Sequence, residues 1–82
     1  MAFSIEWSEE AVACLYQLGH EESKQLVKKL EEAAGNPQHF FKRLAGRQEW
    51  KLRAGDYRLI ARIFLSAKRI FILFLGLRKK IY

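Results

Sequence analysis

Apolar and polar residues alternate from the start of the chain. Phe3, Ile5 and Trp7 fall on one side, Ser4 and Glu6 on the other, which predicts a strand over residues 2–7. Ser8 is a good N-cap, and Glu9 and Glu10 suit the positive end of a helix. The period then lengthens: Val12, Leu15, Tyr16 and Leu18 read as one helical face, with Gly19 ending that helix. A second helix is expected from about residue 21 to 34, with Leu26, Val27, Leu30 and Ala34 as its apolar stripe and Gly35-Asn36-Pro37 as its stop. Together they predict an αα-hairpin.

Residues 36–48 read as a long connection, anchored to the core by Phe40, Phe41 and Leu44. Trp50, Leu52 and Ala54 alternate with Lys51 and Arg53, predicting a strand over 49–54 with one basic face. Gly55-Asp56 is a two-residue hairpin signal. The next strand, 57–65, places Tyr57, Leu59, Ala61, Ile63 and Leu65 on one face and Arg58, Ile60, Arg62 and Phe64 on the other. After a turn at Ser66-Ala67, residues 69–76 are apolar on both faces, as a central strand would be. The expected architecture is α+β, in the order β-α-α-β-β-β. A two-helix hairpin packs on one face of a mostly antiparallel four-stranded sheet. The other face is left partly open, with Lys51, Arg53, Arg58 and Arg62 pointing to it.

Charge sharpens that picture. Residues 42–82 hold twelve lysines and arginines against Glu49 and Asp56, a net of +10. Residues 1–41 hold three lysines against seven glutamates, a net of −4, giving the +6 of the whole. A cationic sheet face on a small domain is the footprint of a polyanion binder, most often of nucleic acid. Eighty-two residues fit one domain, 1–82, of modest stability. The single cysteine, Cys14, excludes an internal disulfide and fits a reducing compartment; it reads as a small core residue. No Cys/His cluster with zinc spacing is present. Residues 1–15 are acidic and patterned, unlike a secretory signal, and the longest apolar stretch, 70–77, is too short to span a bilayer. A cytoplasmic location without membrane contact is expected.

The run KRLAGRQEWKLRAGDYRLIARI and the closing FLGLRKKIY resemble the RelE/ParE superfamily of toxins from type II toxin–antitoxin systems. The most specific parts are Leu44-x-Gly46, the turn Gly55-Asp56-Tyr57-Arg58, and Arg78-x-x-x-Tyr82. The likeness covers essentially the whole chain and implies the RelE-like fold derived above. It also implies a RelE-like activity: a metal-independent endoribonuclease, without cofactor, that cleaves mRNA on the translating ribosome and so inhibits translation. A cognate RelB-like antitoxin would restrain it. The alternatives are a ParE-like inhibitor of DNA gyrase, which shares the fold without the basic catalytic set, and a weakly active basic RNA-binding relative.

What the resemblance implies for chemistry is attack of a ribose 2′-OH on the adjacent phosphate. A base takes its proton, cations stabilise the phosphorane, and an acid protonates the leaving 5′-oxygen. His20 and His39 lie outside the basic cluster, so proton transfer falls to Lys51 and Tyr82. Surrounding positive charge makes lysine and tyrosine protons easier to lose and stabilises the phosphorane. By position, the catalytic set is Lys51, Arg53, Arg58, Arg78 and Tyr82. Lys42, Arg43, Arg47, Arg62, Lys79 and Lys80 are the further cations expected on RNA, although Arg62 reads equally well as surface charge. Arg53 stands where active members commonly carry lysine; an arginine there clamps but cannot release a proton. Leu77 stands where many relatives have histidine, and a terminal carboxylate at Tyr82 would bring negative charge to the site. Trp50 reads as core rather than a base platform, and His20 as a cap or turn residue.

Overall fold

A computed structural model of the chain describes residues 2–46 and 48–77. The elements run β1 (Ser4–Trp7), α1 (Glu9–Gln17), α2 (His20–Ala34), α3 (Pro37–Phe40), β2 (Lys42–Arg43), β3 (Trp50–Ala54), β4 (Tyr57–Phe64) and β5 (Arg69–Leu77). The strands form one sheet in the order β1-β5-β4-β3-β2. Every neighbouring pair is antiparallel except β1 with β5. The first and last strands are thus neighbours, and the chain between them, three helices and three strands, is far longer than the crossover that a parallel pair requires.

The α+β class and the helices-on-one-face arrangement are those read from the sequence, with two additions inside the long connection. Pro37 opens α3, where its missing N–H costs nothing. Two residues after Phe40, β2 adds a short fifth strand at the sheet edge. Both are too short to leave a periodic pattern. Phe41, 2 % exposed, anchors the connection between them, while Phe40 and Leu44 are half-buried.

Ser8 caps α1 as predicted, its Oγ accepting from the Ala11 amide at 3.0 Å. The helix ends at Gln17 with Leu18 as C-cap, one residue earlier than expected, and Gly19 instead precedes α2 as its N-cap. A second correction concerns the inner face of α1. Ala11 is fully buried and Cys14, Leu15 and Leu18 pack on the core, whereas Tyr16 is 83 % exposed. Residues at i, i+3, i+4 and i+7 from Ala11 share one stripe, and a fifth step turns Tyr16 away from it. In α2, Leu26, Leu30, Ala33 and Ala34 are buried. They meet Leu52, Leu59, Ala61, Ile70, Ile72 and Leu75 of the sheet in one core. The amide of Phe3 donates to the Ala34 carbonyl at 2.8 Å, tying the start of β1 to the end of α2.

The pleat does not run unbroken along β5. Ile60 pairs with Phe74 but Ala61 pairs with Ile72, so Leu73 is an extra residue, a β-bulge. Before the bulge, Ile70 and Ile72 face the helices; after it, Leu75 does. Ser8 sits against this irregularity. Its amide donates to the Ile72 carbonyl at 2.9 Å and its hydroxyl donates to the Leu73 carbonyl at 2.5 Å. One serine therefore caps α1 and pins the bulge.

Candidate nucleic-acid interface

Register places the side chains of the helix-free face in rows across the strands. Side chains two residues apart on a strand share a face, and partners directly opposite lie with Cβ atoms about 4.5–5.5 Å apart. One row is Gly76, Arg58 and Arg53. The next is Phe74, Ile60, Lys51 and Lys42. The rows beyond it hold Phe71 with Arg62, and Arg69 with Phe64, flanked by Glu6 and Ser4 of β1.

The first two rows contain two like-charge pairs: Arg53 directly opposite Arg58, and Lys42 directly opposite Lys51. Among the described residues, no acid is in register with either row. The other end of the face is neutralised. Glu49 pairs with Arg62 at 3.5 Å, and the Arg69 Nε donates to Glu6 at 3.0 Å. One sheet face is thus divided along its strands into a cationic end towards the β3–β4 turn and a charge-balanced, aromatic end towards the β4–β5 turn. Like charges directly opposite on a sheet work against the ladder, and a concentration of them on one face suits contact with an anion.

Of the expected site residues, Lys51, Arg53, Arg58 and Lys42 come together in these rows. Lys42 joins them only because β2 pairs with β3, an element the sequence did not reveal. Arg43 is in register with Trp50, on the opposite parity to Lys42, and so is not part of the rows; it lines a groove with Leu44, Ala45, Gly46 and Gln48. Arg62 lies one row away, engaged by Glu49. Arg47, Arg78, Lys79, Lys80 and Tyr82 lie outside the described residues. His20 begins α2 and His39 sits on α3, edge-on to Phe40 at 4.9 Å, so neither histidine is on this face. Trp50 is half-buried against the core, as expected.

Two residues on this face were not foreseen. Glu49 places a carboxylate beside the cationic rows, a position implied by its alternation with Lys51. Phe74 reaches this face only because of the bulge at Leu73. The apolar run 69–77 has no polar alternation from which that parity could be read.

The arrangement has clear relatives. The family model for the ParE toxin of type II toxin–antitoxin systems, parDE, matches residues 5–82. Among solved structures, the chain is similar to a protein of the Escherichia coli RelBE toxin–antitoxin complex, with 28 % identity, TM-score 0.76, and 92 % of this chain and 95 % of that one covered. It is similar also to one from the Mycobacterium tuberculosis RelBE2 complex, with 21 % identity, TM-score 0.85, and 95 % and 93 % covered. The RelE–RelB complex of Pyrococcus horikoshii provides a third, with 23 % identity, TM-score 0.81, and 98 % and 99 % covered. A search of curated proteins finds no match. With a family model spanning nearly its whole length and RelE toxins as its structural neighbours, the chain belongs to the ParE toxin family of type II toxin–antitoxin systems, within the RelE/ParE superfamily.

Proposed function

We propose that this toxin is a metal-independent endoribonuclease that cuts mRNA on the translating ribosome and so inhibits translation. The observation that carries the reading is the pair of adjacent like-charge rows, Arg53 with Arg58 and Lys42 with Lys51, on the sheet face free of helices. Arg53 and Arg58 hold the non-bridging phosphate oxygens through charge-assisted hydrogen bonds and stabilise the phosphorane as charge develops. Lys51 serves as a proton carrier, with Tyr82 and Arg78 completing the set on the strength of the resemblance. The 2′-oxygen bonds to phosphorus as its proton passes to the base. The 5′-oxygen leaves with a proton from the acid, and a 2′,3′-cyclic phosphate remains. The toxin acts in the cytoplasm, and a RelB-like antitoxin restrains it, an acidic or amphipathic segment of that partner matching the cationic rows.

In vitro translation with purified toxin, followed by primer extension on the message, tests this. Cuts positioned by codon, lost in the Lys51→Ala and Arg58→Ala variants, are expected. Intact message at excess toxin sinks the proposal. The ParE family match favours a second reading, inhibition of DNA gyrase. A supercoiling assay separates the two: gyrase arrested while translated message stays whole selects the second.

A further inference from the structure

The bulge at Leu73 changes what stands beside the cationic rows. By the parity of Ile70 and Ile72, both fully buried, Phe74 belongs on the helix side. The extra residue reverses that parity, sending Leu75 into the core at 3 % exposure and Phe74 to the open face at 36 %. On that face Phe74 stays partly open beside Ile60, which is 3 % exposed, and bulges that re-aim a side chain are concentrated beside functional sites. Here the device is held on purpose-built contacts, since Ser8 engages the carbonyls on both sides of the shift. Phe74 is in register with Ile60 and lies diagonally from Arg58 on the neighbouring strand, about 7–8 Å away by sheet geometry. An aromatic ring next to a clamp of fixed cations is the combination that binds single-stranded nucleic acid, with bases stacking on the ring and phosphates on the charges.

We infer that Phe74 is a base-stacking platform, receiving the base of a nucleotide whose phosphate lies on the Arg53–Arg58 row. The Leu73 bulge and Ser8 are the parts that position it. This rests on the reading of the cationic rows as an RNA site. Stacking is sequence-tolerant because every base has a π-face, so the platform sets where a strand lies more than which base it carries.

The test uses a short single-stranded 2′-O-methyl RNA bearing one 2-aminopurine, which lacks the 2′-OH nucleophile and stays intact. Stacking on the ring quenches the 2-aminopurine emission. Phe74→Leu keeps an apolar side chain and removes the π-face. It is expected to lower affinity roughly 5- to 150-fold and to lose the quench, with the salt dependence unchanged because no cation is removed. Phe74→Tyr is expected to bind and quench like wild type, which separates stacking from a folding defect. Wild-type affinity and quenching in Phe74→Leu, with Arg53→Ala still weakening binding, overturns the platform and leaves the phosphate reading standing. Absence of any salt-dependent binding by the wild-type toxin overturns both.

Discussion

Arg53 stands directly opposite Arg58 across the antiparallel β3–β4 ladder. Sheets normally set opposite charges or apolar partners at such positions, because a facing like-charge pair works against the ladder. Replacing the exposed Arg53 by threonine removes the repulsion and adds a β-branched side chain that suits a strand. Stability is expected to rise by about 0.2–1 kcal/mol, or roughly 1–8 °C in Tm for a domain this small. Thermal unfolding checks it; an unchanged or lowered Tm contradicts the view that the pair is kept at the expense of folding.

Glu49 limits how far the cationic end extends by engaging Arg62. Glu49→Gln keeps the shape and removes the charge. Arg62 then joins the neighbouring cations, so single-stranded RNA affinity rises and the log–log salt slope steepens by about 0.7. The ion pair is partly exposed, so stability should shift by less than about 1 kcal/mol. Weaker RNA binding by the variant would show that the carboxylate does more than neutralise Arg62.

Ser8→Ala removes two interactions at once, the cap on α1 and the hydroxyl bond to the Leu73 carbonyl. A lost cap costs about 0.5–2 kcal/mol, and the second hydrogen bond about 1 kcal/mol more. Urea unfolding should show a loss of roughly 1–3 kcal/mol, with faster hydrogen exchange at the Ala11 amide. A loss confined to the helix end, with β5 amides as protected as before, argues against the serine as a pin for the bulge.

Lys68 closes the β4–β5 turn in the left-handed region, at φ 55°, and its amide donates to the Leu65 carbonyl at 3.3 Å. A side chain is strained there and glycine is not. Lys68→Gly should therefore stabilise the toxin by up to about 1 kcal/mol, visible as a rise in Tm. A fall in Tm means the backbone strain is smaller than the entropy that glycine adds to the unfolded chain.

The elements whose residues alternate or repeat cleanly could be read from sequence. Phe3, Ile5 and Trp7 located β1, Leu26 and Leu30 located α2, and the Gly55-Asp56 turn located the β3–β4 hairpin that brings Lys51, Arg53 and Arg58 together. Three things could not. The two-residue strand Lys42–Arg43 exists through its pairing with β3 rather than through any local pattern, so the Lys42–Lys51 contact was invisible. Tyr16 looked like part of the α1 stripe because a nine-residue helix offers too few turns to fix the stripe's centre. The parity of Phe74 depends on a bulge set by Ser8, sixty-five residues before Leu73, in a run whose residues are apolar on either face. Local periodicity located the cations; tertiary contacts decided what lies beside them.

We propose that the cations facing one another on the open sheet face form an RNA phosphate site. The salt dependence of single-stranded RNA binding measures it most directly, comparing wild type with Lys51→Ala and Arg53→Ala. Affinity is expected to fall steeply with salt, with a log–log slope that drops by about 0.7 in each variant as one phosphate contact is lost. Binding insensitive to salt, or a slope that neither substitution changes, would contradict it.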